Sequence, residues 1–195
     1  YALRVMIIIA GLGNPGEDYE HTRHNVGFDA VDILAKRFGA RYWKDSCGAK
    51  LAETSLRLAD GTQEDVVLVK PQSFMNLSGG PIKKVLEAYG ATPKELVVIH
   101  DELDIAPGTI RVKFGGGHAG HNGLRSIVDK TQTKDFYRIR VGIGRPPGRM
   151  NVADYVLSRP VKAQAEERDH ALVLAADAVE SLMNDGLAKT QQAFN

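Results

Sequence analysis

The stretch Val5-Met-Ile-Ile-Ile-Ala-Gly-Leu-Gly-Asn-Pro-Gly16 decides the fold class of this chain. Its first half is apolar and rich in β-branched residues without alternation, which predicts a strand buried on both faces. Its second half is a glycine-rich turn, and apolar residues at helical spacing follow over residues 26–38, with Gly39 as the stop. A buried strand that leads through a turn to an amphipathic helix is typical of α/β proteins.

The same pattern continues along the chain. Further strands are predicted at residues 51–58, 66–69, 96–99, 109–114 and 137–143, and further helices at residues 81–89, 124–128 and 161–186. Little chain separates the strands at 96–99 and 109–114, so one strand should run antiparallel. We therefore expect residues 1–195 to form a single-domain α/β sandwich, whose central sheet is mixed, mostly parallel and flanked by helices.

Composition narrows the class of protein. A chain of 195 residues that is 43% hydrophobic has enough apolar side chains for one folded domain, which excludes intrinsic disorder. The single cysteine, Cys47, excludes an internal disulfide framework and fits a reducing compartment. The longest apolar run, residues 5–10, is too short to span a bilayer and lacks the layout of a signal peptide.

The glycine-rich turn at residues 11–16 has the G-x-G-x-x-G spacing of a dinucleotide-binding loop and follows a strand as that loop does. Pro15, however, removes a backbone N–H that a pyrophosphate would need, and three carboxylates follow within residues 17–20. The second interpretation is a tight turn that presents the Asn14 amide above the strand end. A dinucleotide-dependent oxidoreductase is nevertheless kept as one of three hypotheses about the function of the chain.

Two histidine pairs, His21 with His24 and His118 with His121, have the i, i+3 spacing that lets one helical turn offer two imidazoles to a metal. No glutamate lies between the members in the manner of zinc proteases, and glycines surround the second pair. Loop or surface histidine is the simpler interpretation for His21 and His118. We expect no metal.

His24 and Asp101 form a further candidate site. Asn14 and His24 follow the end of the first predicted strand, and Asp101 follows the end of a later one. Ligands of open α/β sheets bind at the carboxyl ends of the strands, so these side chains should share one crevice. A carboxylate that fixes an imidazole makes it a proton acceptor, and the pair would then activate water. The alternative is a solvated acidic loop.

Charge is unevenly distributed although the net charge is only +1. Residues 105–150 carry nine lysines or arginines against two acids, a balance of +7, whereas residues 1–104 and 151–195 each have a balance of −3. A basic segment beside glycine-rich loops is typical of a protein that binds phosphate backbones. The other interpretation is an ordinary solvated face.

With these residues assembled, the chain resembles bacterial-type peptidyl-tRNA hydrolases. The matching motifs occur in the family's order between residue 7 and about residue 157. They are Gly11-Leu-Gly-Asn-Pro-Gly16, Tyr19, Thr22-Arg-His-Asn-Val-Gly27, Phe74-Met-Asn-Leu-Ser-Gly79, His100-Asp-Glu-Leu-Asp104, Gly115-Gly-Gly-His-Ala-Gly-His-Asn-Gly-Leu124 and Arg140-Val-Gly-Ile-Gly144.

The resemblance implies an esterase that releases a nascent or N-blocked peptide from the 3′-terminal ribose of tRNA. It implies that His24 is the base, that Asp101 is its partner, and that Asn14 distinguishes blocked from free aminoacyl groups. Contacts to the substrate and to tRNA are implied for Tyr19, Phe74, Met75, Asn76, His121, Asn122, Lys113 and Arg140.

The resemblance also implies a mobile gate at residues 145–160 and a lid helix at residues 161–186. Ala119 stands where the family often has glycine, so a positive φ there would strain the loop. We expect a cytoplasmic monomer that needs no cofactor, binds the acceptor end and backbone phosphates of peptidyl-tRNA, and has no membrane or obligate protein partner. The alternative from another class is a non-catalytic tRNA- or RNA-binding module.

Overall fold

One sheet of seven strands organises the part of the chain that the computed structural model describes, residues 6–195. Val5, the first residue of the predicted strand, lies outside the described residues. The strands are β1 (Met6–Gly11), β2 (Lys44–Ser46), β3 (Ala49–Arg57), β4 (Gln63–Pro71), β5 (Leu96–Glu102), β6 (Ile110–Phe114) and β7 (Tyr137–Gly142). The helices are α1 (Val26–Arg37), α2 (Gly79–Ala88), α3 (Asn122–Thr131), α4 (Val152–Val156), α5 (Ala163–Asp185) and α6 (Leu187–Phe194).

The strand order is β2-β3-β4-β1-β5-β7-β6. β1 pairs in parallel with β4 and β5, and β5 pairs in parallel with β7. The antiparallel pairs, β2–β3, β3–β4 and β6–β7, lie toward the two edges of the sheet. The expectation of a mixed α/β sheet flanked by helices is confirmed, and the parallel centre brings the carboxyl ends of β1 and β5 side by side.

Each face of the sheet has its own apolar core, because alternate residues of a strand point to opposite faces. Ile9 and its neighbours pack with α1 and α5 on one face, where Leu34 and Val179 are fully buried. Ile8 packs with α2 and α3 on the other face, where Ile127 is fully buried. Burial of each such side chain contributes about 1.5–3 kcal/mol, so the two cores fix the sheet between its helices.

The longest helix, α5, buries the predicted stripe that includes Leu172, Ala175 and Val179 in the core shared with α1. It is therefore one layer of the sandwich, and the lid role of residues 161–186 stays a prediction. β2, α4 and α6 were not foreseen, since three to eight residues carry too little periodicity. β5 continues three residues beyond its predicted end, because the polar residues 100–102 are buried rather than solvated.

α1 crosses the end of β1 at two glycines. A Cβ atom on Gly11 would lie 2.0 Å from the carbonyl oxygen of Gly27, and one on Gly27 would lie 2.4 Å from the carbonyl oxygen of Ile99. Backbone therefore packs directly on backbone at this crossing. The close approach holds the segment just before α1, which contains His24, against the ends of β1 and β5.

We expect Gly27→Ala to destabilise the fold by about 3 kcal/mol, because neither backbone at the crossing can move aside for a methyl group. The matched control is Gly80→Ala in α2, where no atom lies within 4 Å of the added Cβ and alanine favours the helix by up to about 1 kcal/mol. Urea denaturation measures both. Equal free energies of unfolding for the two variants would contradict the direct backbone packing at this crossing.

Candidate active site

Two histidines share one buried carboxylate at the carboxyl ends of β1 and β5. His24 Nδ1 lies 2.8 Å from Asp101 Oδ2, and His121 Nε2 lies 2.8 Å from Asp101 Oδ1. His24 belongs to a 3-10 helix, Arg23–Asn25, that leads into α1, and Asp101 lies within β5, where it is only 3% exposed. The structure thus brings together His24 and Asp101, and adds His121 as a second partner of the carboxylate.

The hydrogen bonds of His121 fix its tautomer. Its Nδ1 accepts from the backbone N–H groups of Gly123 and Leu124, at 3.1 and 3.3 Å, because the side chain caps the N-terminus of α3. The proton of the neutral ring must therefore be on Nε2, which donates to Asp101. His24 donates to the second carboxylate oxygen through Nδ1, and this leaves a lone pair on its Nε2.

Electrostatics favour an ionised carboxylate beside a basic imidazole. Burial lowers the pKa of His24, but the charge of Asp101 and its hydrogen bond outweigh burial and raise the pKa above the ordinary 6.5. Burial alone would raise the pKa of Asp101, yet its electrostatic interactions and hydrogen bonds with His24 and His121 hold that pKa well below its usual range. Asp101 is therefore an anion at neutral pH, and it stabilises His24 whenever the ring takes up a proton.

A cavity of about 560 Å³ opens over this cluster. α4 supplies part of its wall through Val152, Ala153 and Val156, which lie in the segment predicted to be a gate. Of the residues that the sequence singles out, the cavity is lined by Asn14, His24, Phe74, Met75, Asn76, Asp101, His121 and Asn122. Residues from six separate parts of the chain therefore meet in one concave surface.

Asn14 is held so that its amide nitrogen is available as a donor. Its Oδ1 accepts from the backbone N–H of Met75 at 2.7 Å. The side chain of Asn25 binds both the backbone N–H and the backbone carbonyl of Asn14, each at 2.9 Å. Asn25 was not singled out from the sequence, although it directly follows His24 in the same motif. The engaged Oδ1 leaves the Nδ2 hydrogens of Asn14 for a ligand.

Arg23, which directly precedes His24, was also missed. Its guanidinium stacks on the ring of Tyr155 at 4.2 Å and donates to Ser158 Oγ at 2.5 Å. Tyr155 in turn donates to the carbonyl oxygen of Ile143 at 2.5 Å. These contacts attach the end of α4 to the segment that carries His24. Mobility of residues 145–160 stays a prediction.

Three of the singled-out residues lie beside the cavity rather than in its wall. The ring of Tyr19 meets Phe74 edge-on with centroids 6.2 Å apart. Arg140 Nη2 lies 3.5 Å from Glu102 Oε1, and Glu102 lines the cavity. Lys113 lies on β6 beside β7, and burial, then Arg140, lowers its pKa. Arg140 therefore borders the cavity through Glu102, and Lys113 lies on the strand next to it.

The dinucleotide interpretation does not fit the structure. β1 leads into a loop and a single 3-10 turn at Glu17–Tyr19, and α1 begins only at Val26, so the glycine-rich turn does not open an α-helix. A Cβ atom on Gly13 would lie 2.7 Å from the ring of Phe28. Gly11 and Gly13 are needed for packing against α1 rather than for a phosphate.

The histidine pairs do not converge as ligand pairs. His21 bonds to Asp29 at 3.3 Å, and His118 accepts from the backbone N–H of Gly120 at 3.0 Å. Among residues 6–195, the group that could hold a metal is His24, Asp101 and His121, with ligand atoms within 4.8 Å of one another. The capped Nδ1 of His121 keeps the proton on Nε2, so that nitrogen offers no lone pair to a metal.

Ala119 has a φ of 49°, which lies in the left-handed region. The strain expected for an alanine at this position of the loop is therefore present. For a residue with a Cβ this conformation costs roughly 1–2 kcal/mol. Ala119 also lines the cavity, in the loop that joins β6 to α3. The strain therefore lies at the active cleft and not at a remote turn.

A third histidine, His100, lies beneath the cluster and is 1% exposed. Its Nδ1 lies 2.8 Å from the carbonyl oxygen of Asp101, and its ring meets that of His121 edge-on with centroids 5.0 Å apart. Its Nε2 is buried and has no hydrogen-bond partner among residues 6–195. Burial, and then the electrostatic interaction with His121, lowers the pKa of His100 to about 3, so the ring is neutral at neutral pH.

This low pKa makes folding stability depend on pH. Between pH 6.5 and about 3, the unfolded chain binds a proton at His100 and the folded chain does not, so stability is lost as the pH falls. His100→Asn keeps a donor for the Asp101 carbonyl but cannot titrate. We expect it to flatten the acid limb of the free energy of unfolding by up to about 1.4 kcal/mol per pH unit.

Urea denaturation at a series of pH values measures this slope. The matched control is His170→Asn, which changes an exposed histidine on α5. A slope in His100→Asn equal to that of the unaltered chain would show that His100 takes up a proton in the folded state.

Comparison with known proteins adds independent findings. The profile of a family described as "Peptidyl-tRNA hydrolase" matches residues 8–195. A peptidyl-tRNA hydrolase of Frankia alni is 50% identical over 188 residues, which cover 96% of this chain and 93% of that protein. One of Streptomyces coelicolor is 47% identical over 189 residues, which cover 96% of this chain and 94% of that protein. The crystal structure of peptidyl-tRNA hydrolase from Acinetobacter baumannii aligns with a TM-score of 0.87 and 34% identity, covering 98% of this chain and 95% of that chain.

Proposed function

The chain belongs to the peptidyl-tRNA hydrolase family and is a hydrolase of peptidyl-tRNA, and on this premise we propose that His24, held by Asp101, activates the attacking water. The membership excludes the reading of the basic segment as a non-catalytic RNA-binding module. The observation that carries the proposal is the pair of hydrogen bonds that Asp101 accepts, one from each imidazole.

In the first step, the lone pair on His24 Nε2 takes a proton from water as the water oxygen attacks the ester carbonyl carbon. The carbonyl π electrons move to its oxygen, and the imidazolium that forms is stabilised by the buried charge of Asp101. When the tetrahedral intermediate collapses, the bond to the ribose oxygen breaks and His24 returns the proton to that oxygen. The products are a tRNA with a free ribose hydroxyl at its 3′ end and a peptide whose new carboxylic acid loses its proton to water.

Neutral amide side chains stabilise the negative charge that develops on the carbonyl oxygen of the ester. Asn76 and Asn122 line the cavity beside the cluster and can donate to an oxyanion without titrating themselves. Met75 and Phe74 add an apolar wall, with Tyr19 behind Phe74, and the adaptable thioether of Met75 tolerates varied peptides. His121 acts through Asp101 and not on the substrate, because both of its nitrogens are already bonded.

Recognition of the tRNA is assigned to the basic segment. Lys113 and Arg140 would bind backbone phosphates near the acceptor end, where the β6–β7 surface borders the cavity. Residues 145–160 would act as a gate and residues 161–186 as a lid. The enzyme would act as a cytoplasmic monomer, without cofactor or metal. Within residues 6–195, none of the helices combines the length and apolar character needed to cross a bilayer.

We expect His24→Ala and Asp101→Asn each to lower kcat by about 10²–10⁴-fold. The asparagine has one acceptor for two ring N–H donors, and His121 cannot change its tautomer. His24 must therefore accept at Nδ1 and carry its proton on Nε2, which removes the base. The measurement is release of peptide from an N-blocked aminoacyl-tRNA.

In the unaltered enzyme, the same assay should show kcat/KM rising with pH through a pKa above 6.5, because only the neutral ring is a base. A chelator of transition metals should leave the rate unchanged. His21→Ala, which removes an exposed histidine outside the cluster, is the matched control. Full activity of His24→Ala would rule out the mechanism.

Asn14 carries a separate prediction about substrate choice. Its Nδ2 can donate to the carbonyl oxygen of a peptide bond or blocking group, whereas the ammonium of a free aminoacyl-tRNA has only donors. In Asn14→Asp one carboxylate oxygen keeps the Met75 contact, and the other attracts an ammonium. We expect the preference for blocked over free substrate to fall by about tenfold.

The ratio of kcat/KM for N-acetyl-aminoacyl-tRNA and aminoacyl-tRNA measures this preference. Asn76→Asp is the control, since it makes the same amide-to-carboxylate change in the same cavity at a side chain that does not accept the backbone N–H of Met75. An unchanged ratio in Asn14→Asp would remove Asn14 from substrate selection.

A further inference from the structure

Arg138 on β7 is a fully buried arginine at the centre of the basic segment. Its Nη1 donates to the carbonyl oxygen of Gly117 at 2.6 Å, and its Nη2 donates to that of Gly116 at 2.7 Å. A weaker contact reaches the carbonyl oxygen of Lys134 at 3.3 Å. The two shortest bonds therefore join one guanidinium to two consecutive residues of the glycine-rich loop.

Among residues 6–195 no carboxylate lies within ion-pair distance of Arg138, and Glu102 acts on its charge only from farther away. Its guanidinium carbon lies 4.5 Å from the centre of the Phe136 ring, which offers a cation–π contact, and its Nε has no hydrogen-bond partner there. Burial of an unpaired charge costs several kcal/mol even after relaxation. An apolar side chain of similar volume would avoid this cost but would leave the carbonyl oxygens of Gly116 and Gly117 without their donors.

The loop has a backbone shape that suits this fork. Gly115 and Gly116 have φ values of 72° and 91°, a backbone conformation that residues other than glycine rarely adopt. A guanidinium matches two adjacent carbonyls with two parallel donors, whereas an ammonium presents a single nitrogen. Arg138 therefore fixes the loop at two consecutive peptide groups.

The fixed loop connects two functional surfaces. On its first side, a Cβ atom on Gly116 would lie 3.0 Å from Lys113 Nζ, so the lysine amine packs against the loop. On its second side, the loop continues through Ala119 to His121, which caps α3 and bonds Asp101. Lys113 and Arg138 are also directly opposite each other in the β6–β7 pairing.

We propose that Arg138 is a positioning residue that holds the glycine-rich loop and, through it, sets His121 and Asn122 relative to Asp101 and His24. The inference rests on the proposed function, because it acts on the hydrolytic centre. It assigns no substrate contact to Arg138. Its guanidinium is enclosed by the loop that it supports, and it thereby couples the phosphate-binding surface to the cavity.

The test uses two substrates: an N-blocked aminoacyl-tRNA, and an N-blocked aminoacyl ester of adenosine that has no tRNA body. Arg138→Lys keeps the charge but cannot bind both carbonyls as the fork does. We expect kcat to fall by about 10- to 100-fold on both substrates, because a shift of about 1 Å in the catalytic groups costs that much. A role in binding tRNA phosphates would instead raise KM for the tRNA substrate alone.

A second variant guards against misfolding of Arg138→Lys. Gly116→Ala leaves the buried charge in place and disturbs the loop through its positive φ, so we expect the same loss of kcat on both substrates. The matched control is Gly61→Ala, which has a similar φ of 88° in the β3–β4 turn with no atom within 4 Å of the added Cβ. It should lose stability and keep kcat per folded molecule.

Rates are normalised to the folded fraction measured by circular dichroism. Unchanged kcat on the adenosine ester in both folded variants would overturn the proposal, and so would a loss confined to tRNA. His24→Ala is assayed in parallel, because its full activity would refute the base assignment while a loss in Arg138→Lys would still report on the loop. The two failures are therefore distinguishable.

Discussion

The active cleft depends on one buried carboxylate that accepts hydrogen bonds from two imidazoles. Burying Asp101 is unfavourable by itself, and the fold offsets this by bringing a histidine from each side of the sheet's carboxyl edge. His121 is fixed by the first turn of α3, so its donor does not vary. His24 is then the histidine of the cluster to which we assign the proton exchange. The two histidines differ in their hydrogen-bonding roles because backbone N–H groups occupy Nδ1 of His121, whereas Nδ1 of His24 donates to Asp101.

The sheet topology explains why these residues meet. β1 and β5 are parallel neighbours, and glycine packing lets α1 approach their ends without an intervening side chain. The cationic surface arises differently: β6 and β7 pair in antiparallel fashion, so that Arg111 lies opposite Arg140 and Lys113 lies opposite the buried Arg138. Arg111, Lys113 and Arg140 form the surface itself. A negative cluster inside the cavity and a positive face beside it suit a substrate with one ester and many phosphates. The net charge of +1 is the balance of +7 in residues 105–150 against −3 in each of the two flanking segments.

Sequence reasoning reached the parallel centre of the sheet, because buried β-branched runs and glycine stops are local signals. It also reached Asn14, His24 and Asp101 as members of one crevice, since each follows a strand that ends at the same edge. It missed Asn25 and Arg138, whose roles depend on carbonyls or amides distant in sequence. The end of β5 was placed too early, because the pattern contains no sign that His100 and Asp101 are buried against other histidines. Short α4 and α6 depend on tertiary packing for their existence.

The 3-10 helix Arg23–Asn25 has three consecutive side chains that serve three different places: Tyr155 and Ser158, the Asp101 carboxylate, and the backbone of Asn14. Such an arrangement constrains chain length as well as residue identity. One residue inserted or deleted here would rotate every following side chain by roughly 100–120° and displace all three contacts at once. The turn that joins β3 to β4 can change length without such a penalty. Over evolutionary time, this segment can therefore exchange residues only in place, whereas exposed turns elsewhere are free to grow or shrink.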